Sequence, residues 1–174
     1  MMNENLLTRN KQNYNHYVGQ ASRLSEDFWR RHLPHIQLTS GYYYFITFTT
    51  YNRKILNPFQ KDCIFDAINF MDTKKYELHA SVILNDHIHM IINPIDKLSK
   101  IMHSIKSYTA HEINKKTNRK GKFWQDENFD KVIRNEKEFI EKIKYIVNNP
   151  IKANLSKSYT DYKWLYVKGW INNN

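Results

Sequence analysis

The stretch Leu78-His79-Ala80-Ser81-Val82-Ile83-Leu84-Asn85-Asp86-His87-Ile88-His89-Met90-Ile91-Ile92 decides the fold. Two apolar, β-prone runs are separated by the turn dipeptide Asn85-Asp86, so the segment predicts a hairpin. Side chains alternate along a strand, which puts His87, His89 and Ile91 on one face and Ile88, Met90 and Ile92 on the other. Cα atoms two apart in a strand are roughly 6.5 Å from each other. The two imidazoles therefore stand side by side, close enough for a ring nitrogen of each to meet one divalent ion. Two ligands do not make a site by themselves, and surface histidines at a strand start fit the same pattern. A third ligand has to come from elsewhere in the chain.

On the N-terminal side, Tyr42 to Thr50 is a run of aromatic and β-branched residues that reads as a strand, ended by Asn52-Arg53 and the Asn57-Pro58 turn. Ile64, Phe65, Ile68 and Met71 recur at helical spacing within about Gln60 to Lys75. On the C-terminal side, Pro94 stops the histidine strand. Leu98, Ile101, Met102, Ile105 and Ile113 then mark one face of a helix from Leu98 to Lys116. A fourth strand is expected at Phe129 to Arg134. Asn135 then caps a helix from Glu136 to about Asn148, where Pro150 limits further extension. The order β-α-β-β-α-β with this added C-terminal helix predicts a ferredoxin-like α+β sandwich built on an antiparallel sheet. Residues 1–40 are polar and irregular in pattern, with Ser25 to Leu33 suited to a short helix. They are read as an N-terminal extension to a single domain over residues 41–174.

A hydrophobic share of 41% with four glycines and four prolines belongs to a folding chain rather than a disordered or fibrous one. The single cysteine, Cys63, has no partner within the chain, so no disulfide framework is expected and a reducing compartment is the default. The first residues lack an apolar export segment and no run reaches membrane-span length, so a cytoplasmic protein without a membrane partner is the expectation. The formal net charge is +10 with a pI near 9.5. Much of the surplus falls between Lys97 and Lys122, where Lys97, Lys100, Lys106, Lys115, Lys116, Arg119, Lys120 and Lys122 face a single acid, Glu112. With aromatic residues at 14%, this cationic track matches the footprint of a single-strand nucleic-acid binder. A basic surface without a partner shares the same composition.

In the late helix Phe139, Ile140, Ile143, Ile146 and Val147 fill one arc of the wheel, and Tyr145 lies roughly 160° from its centre at about 100° per residue. Asn149, four residues on, shares that face if the helix persists so far. A hydroxyl nucleophile beside an amide oxygen able to ligate a hard cation suits metal-assisted transesterification, provided this face opposes the two histidines. On spacing alone a solvated tyrosine and a helix-end asparagine fit as well.

The Tyr42 to Arg53 stretch, His87-Ile88-His89, Phe123-Trp124-Gln125 followed by Val132-Ile133-Arg134, and Tyr145-Ile146-Val147-Asn148-Asn149-Pro150-Ile151-Lys152-Ala153-Asn154-Leu155 occur in this order. Together they resemble the REP-associated tyrosine transposases, members of the HUH single-tyrosine, IS200-like transposase superfamily. The resemblance covers about Tyr42 to Tyr166, and the ordered combination is far more specific than any single motif. It implies that His87, His89 and Asn149 bind Mg²⁺ or Mn²⁺ and that Tyr145 attacks single-stranded or hairpin DNA to form a 5′-phosphotyrosine intermediate. It also points to a monomer, whereas insertion-sequence relatives dimerise with shared sites. Asn-Pro after the tyrosine favours the REP-associated branch, and the long N-terminal extension departs from it. Lys142, one turn before Tyr145, is a candidate phosphate or phenolate contact, with an ordinary solvated lysine as its alternative. His103 and His111 read as surface or DNA-contact residues and Trp124 as structural, with base stacking as its minority role. A DNA-hairpin-binding regulator that keeps the scaffold without catalysis is the rival reading.

Overall fold

The computed structural model describes residues 42–169, so the polar extension over residues 1–40 lies outside the described residues. The elements run β1 (Tyr43–Thr49), α1 (Pro58–Met71), β2 (Tyr76–Ile83), β3 (His87–Pro94), α2 (Leu98–Lys116), β4 (Phe129–Ile133), α3 (Glu136–Lys152) and β5 (Leu165–Val167). The strands form one sheet in the order β4-β1-β3-β2-β5, antiparallel throughout. This is the expected α+β sandwich with one addition, β5. Three residues carry no readable alternation, and β5 exists through its pairing with β2, Ala80↔Val167 to Val82↔Leu165.

The alternation read from β3 sorts the core. Ile46, Phe48, Ile88, Met90 and Ile92 pack with Ile64 and Ile68 of α1 and Ile101, Ile105 and Ile113 of α2. Each fully buried side chain of this kind contributes about 1.5–3 kcal/mol. α3 lies on the other face, over β2 and β3, and buries Phe139, Ile143, Ile146 and Val147. The histidines are on the α3 side. A bulge between Leu78 and Ala80 turns His79 to the same side, where its ring meets Tyr43 and Phe139 edge-on at centroid distances of 5.0 and 5.6 Å.

Two helix ends differ from the sequence expectation. α1 begins with a capping box between Asn57 and Gln60, followed by Pro58. It stops at Met71 rather than Lys75 because Asp72 Oδ1 accepts from the Thr73 and Leu78 amides at 2.9 and 2.7 Å, drawing the chain into β2. α3 runs through Pro150 to Lys152. Proline removes one amide donor and crowds the preceding turn, at a cost of about 3 kcal/mol. Burial of Ile146, Val147, Asn149 and Pro150 against the sheet offsets that cost. The helix therefore carries Asn149 well inside its length.

Candidate metal and nucleophile site

β1 ends where β3 begins, with Thr49 opposite His87 and Thr47 opposite His89. The backbone amide and hydroxyl of Thr50 donate to the Asp86 carbonyl at 2.9 and 3.1 Å, which pins the turn ahead of the histidines. Beyond β1 the chain makes a tight turn, Tyr51–Arg53, in which Asn52 and Arg53 take φ values of 55° and 54°. Two successive non-glycine residues in the left-handed region are strained, each at a cost of order 1 kcal/mol or more. The turn brings Arg53 Nη1 within 3.2 Å of Asp86 Oδ2.

The other Asp86 oxygen lies 2.6 Å from His87 Nδ1. Burial raises the Asp86 pKa, but hydrogen bonds from His87 and Arg53 and their charges outweigh it and hold the carboxyl below the usual carboxylate range. An ionised carboxylate only accepts, so the His87 nitrogen facing Asp86, Nδ1, carries a proton, and Nε2 is the nitrogen turned away from Asp86 for a ligand. The His89 ring stands 4.8 Å from the His87 ring between centroids and is 5% exposed. Its Nδ1 is 2.7 Å from the Thr47 hydroxyl. Burial, with the charges of His87 and Lys142 behind it, pushes the His89 pKa down to about 3. At neutral pH it is the neutral imidazole that can ligate a cation.

His89 Nε2 faces the Tyr145 hydroxyl at 3.5 Å. The Tyr145 ring packs edge-on against His89 and Phe45 at 5.1 and 5.8 Å and remains 40% exposed. Because Asn149 and Pro150 are buried, the packed arc of α3 is rotated toward them. Tyr145 then lies about 125° from its centre rather than roughly 160°. From that flank the long side chain reaches back over β1 to the histidines. Asn149, 9% exposed, donates from Nδ2 to the Tyr145 carbonyl at 2.7 Å. With its donor end engaged in the helix, the amide oxygen is the end left for a ligand. Lys142 Nζ is 4.6 Å from the Phe45 ring centroid and 5.8 Å from that of Tyr145.

Among the described residues no three His, Cys, Asp or Glu side chains cluster as a metal centre. The candidate donors are two imidazole nitrogens, each with an oxygen partner on its other nitrogen, and the Asn149 amide oxygen. Such a set fits Mn²⁺ better than Mg²⁺, and three protein donors would leave positions for phosphate oxygens.

The basic track divides along α2, which packs on the face opposite the histidines. Lys97 and Lys100 begin that helix at the far end of the sheet, and Lys100 Nζ sits 3.9 Å from Asp96. Lys106 Nζ donates to the carbonyls of Gln125, Asp126 and Glu127 at 3.1, 3.1 and 3.3 Å, tying down the loop before β4. Lys115, Lys116, Arg119 and Lys120 follow at the other end, where the Phe123–Gln125 segment joins Thr49 to Tyr51. Lys122 pairs with Asp126 and lies 5.2 Å from the Tyr51 ring centroid. Trp124 is buried and donates from Nε1 to Thr109 Oγ1 at 3.0 Å, a structural contact. Thr47, Asp86 and Arg53 escaped the sequence reading. Asp86 could have been found as the carboxylate adjoining a ligand, but Thr47 and Arg53 become visible through strand register and turn geometry.

A family model for the IS200-like transposases matches residues 37–149, a span that holds both histidines, Tyr145 and Asn149. The chain belongs to the IS200-like transposase family. Its role is therefore that of a transposase, the processing of DNA. A structure described as a REP-associated tyrosine transposase bound to a REP hairpin is similar to this IS200-like transposase, with a TM-score of 0.62, 24% identity, and coverage of 76% of this chain and 80% of that one. That match shows the shared fold. A putative transposase from Deinococcus radiodurans R1 aligns more loosely, with a TM-score of 0.47, 17% identity, and coverage of 66% of this chain and 95% of that one. No curated protein matches significantly. Among the described residues no helix is long and apolar enough to cross a membrane.

Proposed function

We propose that this IS200-like transposase is a metal-dependent single-stranded DNA transesterase that cuts and rejoins strands beside hairpins through a 5′-phosphotyrosine intermediate. The observation that carries the reading is the 3.5 Å approach of the Tyr145 hydroxyl to His89 Nε2, which supports a candidate nucleophile standing beside a candidate ligand pair. His87, His89 and the Asn149 amide oxygen would hold Mn²⁺ or Mg²⁺. The ion, when bound, supplies Lewis-acid polarisation of the scissile phosphate and offsets charge on its oxygens.

Tyr145 attacks phosphorus. The new bond joins its phenolic oxygen to the 5′-phosphate, the bond from phosphorus to the 3′-oxygen breaks, and that oxygen leaves as a 3′-hydroxyl after taking up a proton. The phenolic proton departs as the new bond forms, and the Lys142 ammonium, 5.8 Å from the ring centroid, would contact the phosphate or the phenolic oxygen. Reversal by a 3′-hydroxyl rejoins strands with no external energy. Phe45 and His89 wall the phenol on two sides and restrict its rotation, so less orientation is lost on attack. Tyr145 and both histidines lie together within one chain, which supports a monomer as the working unit. Lys115, Lys116, Arg119, Lys120 and Lys122 would form the nearer part of the proposed DNA track, Lys106 is engaged by the carbonyls of Gln125, Asp126 and Glu127, and Lys97 and Lys100 would contact DNA only along a path that wraps behind the sheet.

The test is incubation with labelled hairpin DNA bearing single-stranded flanks, with Mn²⁺, comparing wild type and Tyr145→Phe. A covalent adduct present in wild type and absent from the variant supports the reading. Tight binding without an adduct in either protein would instead identify a hairpin-binding regulator.

A further inference from the structure

β4 forms the sheet edge beside the site, and its register sets Phe129 opposite Thr47, which is opposite His89. Paired residues point to the same face, so Phe129, Thr47 and His89 make one row across three strands. Two strand spacings, about 10 Å, separate the ends of that row. α3 packs over β2 and β3 and reaches β1 with Lys142 and Tyr145, both against Phe45. Among the described residues this face is open at the start of β4: Phe129 is 59% exposed, whereas Ile133 farther along β4 and Tyr43 and Phe45 on the same face are buried. Lys131, two residues along β4, shares the open face and holds Glu138 at 2.6 Å.

An exposed phenyl on an edge strand is a liability for aggregation unless something covers it. Its neighbours argue for a nucleotide. A strand whose phosphate lies at Tyr145 and the histidines must leave the pocket past an adjacent wall, and the ring at the end of the row is about one nucleotide away. Unpaired bases offer a π-face to any aromatic platform, whereas a duplex does not. We propose that Phe129 is a stacking platform for an unpaired base flanking the scissile phosphodiester, an inference that rests on the transesterase reading above.

The experiment measures binding of labelled hairpin oligonucleotides with single-stranded flanks to Phe129→Ala, Phe129→Leu and Phe129→Trp, alongside Mn²⁺ affinity and melting temperature. Ala and Leu should weaken binding by roughly 5- to 100-fold with Mn²⁺ affinity unchanged. Trp should restore binding, with its emission quenched by the bound strand. One abasic position in the flank should weaken wild type yet have no further effect on Phe129→Leu. Wild-type affinity in the Leu variant, absence of any coupled abasic position, or concentration-dependent self-association abolished by Phe129→Ala would each overturn the proposal, the last by assigning the ring to a contact between copies. If wild type forms the Tyr145 adduct while Phe129→Leu binds normally, this inference alone fails. If wild type neither binds the strand nor forms the adduct, the transesterase reading fails and takes this inference with it.

Discussion

Asp86→Asn isolates the electrostatics of the site from its shape. The side-chain volume is retained, but the charge-assisted bond at 2.6 Å from His87 Nδ1 to Asp86 Oδ1 is lost. The amide either accepts as a weaker neutral oxygen or turns its NH₂ toward Nδ1, which drives the proton to Nε2 and removes the lone pair needed for a ligand. Loss of such a supporting carboxylate typically costs 10- to 100-fold in metal affinity, about 1.4–2.7 kcal/mol. The fold should be little affected. The Asp86–Arg53 pair leaves the Arg53 side chain 66% exposed, so it contributes less than about 1 kcal/mol. The Asp86 carbonyl keeps its two bonds from Thr50. Mn²⁺ titration followed by electron paramagnetic resonance, with urea unfolding of the same samples, separates the two effects. Nitrogen NMR of the histidine rings without metal should find the His87 proton on Nδ1 in wild type. Wild-type Mn²⁺ affinity in a folded Asp86→Asn protein, or a wild-type His87 protonated on Nε2 alone, would refute the argument.

Two further outcomes concern stability. His89 is held neutral down to about pH 3, chiefly by burial, and His79 is also lowered, first by burial and then by Lys168 against the opposing pull of Glu77. Both histidines bind protons more readily in the unfolded chain, so their contribution is complete above an unfolded pKa of about 6.5 and shrinks as pH falls, by up to about 1.4 kcal/mol per pH unit for each. Urea midpoints measured without metal should drop steadily from pH 7 to pH 4.5, and a flat profile would contradict the burial of both rings. Trp124→Phe removes the buried bond to Thr109 and part of the core contact with Phe48, at a cost of about 1–3 kcal/mol in urea unfolding. DNA affinity should be unchanged, and a selective loss of single-strand binding at full stability would move Trp124 from the core to the DNA surface.

Much of the candidate site is legible in the sequence because its signals are local. His-x-His in an alternating run, and Tyr145 with Asn149 one helical turn apart, are set by backbone periods that need no knowledge of distant residues. Pro150 misled for the same reason: its local penalty is real, but burial of the surrounding turn outweighs it. Tyr145 leaves the core arc as its spacing predicts, but its angle from that arc is narrower than the wheel gives, because Asn149 is buried and Ile140 is not, and polarity does not reveal which residues a sheet will cover. The division of the lysines was hidden too, since charge density along a helix says nothing about which face of a sheet that helix packs against.

What the chain determined by itself was the hairpin, the alternation that sorts core from site, the helix periods and the identity of the candidate ligands and nucleophile, all set by steric and hydrophobic rules acting over a few residues. Tertiary structure alone decided that Thr47 backs His89, that Arg53 grips Asp86, that β5 exists, and that Tyr145 meets the histidines. Each depends on strand register or on the packing of one layer over another, and those are settled by burial summed over the whole sheet rather than by any single segment.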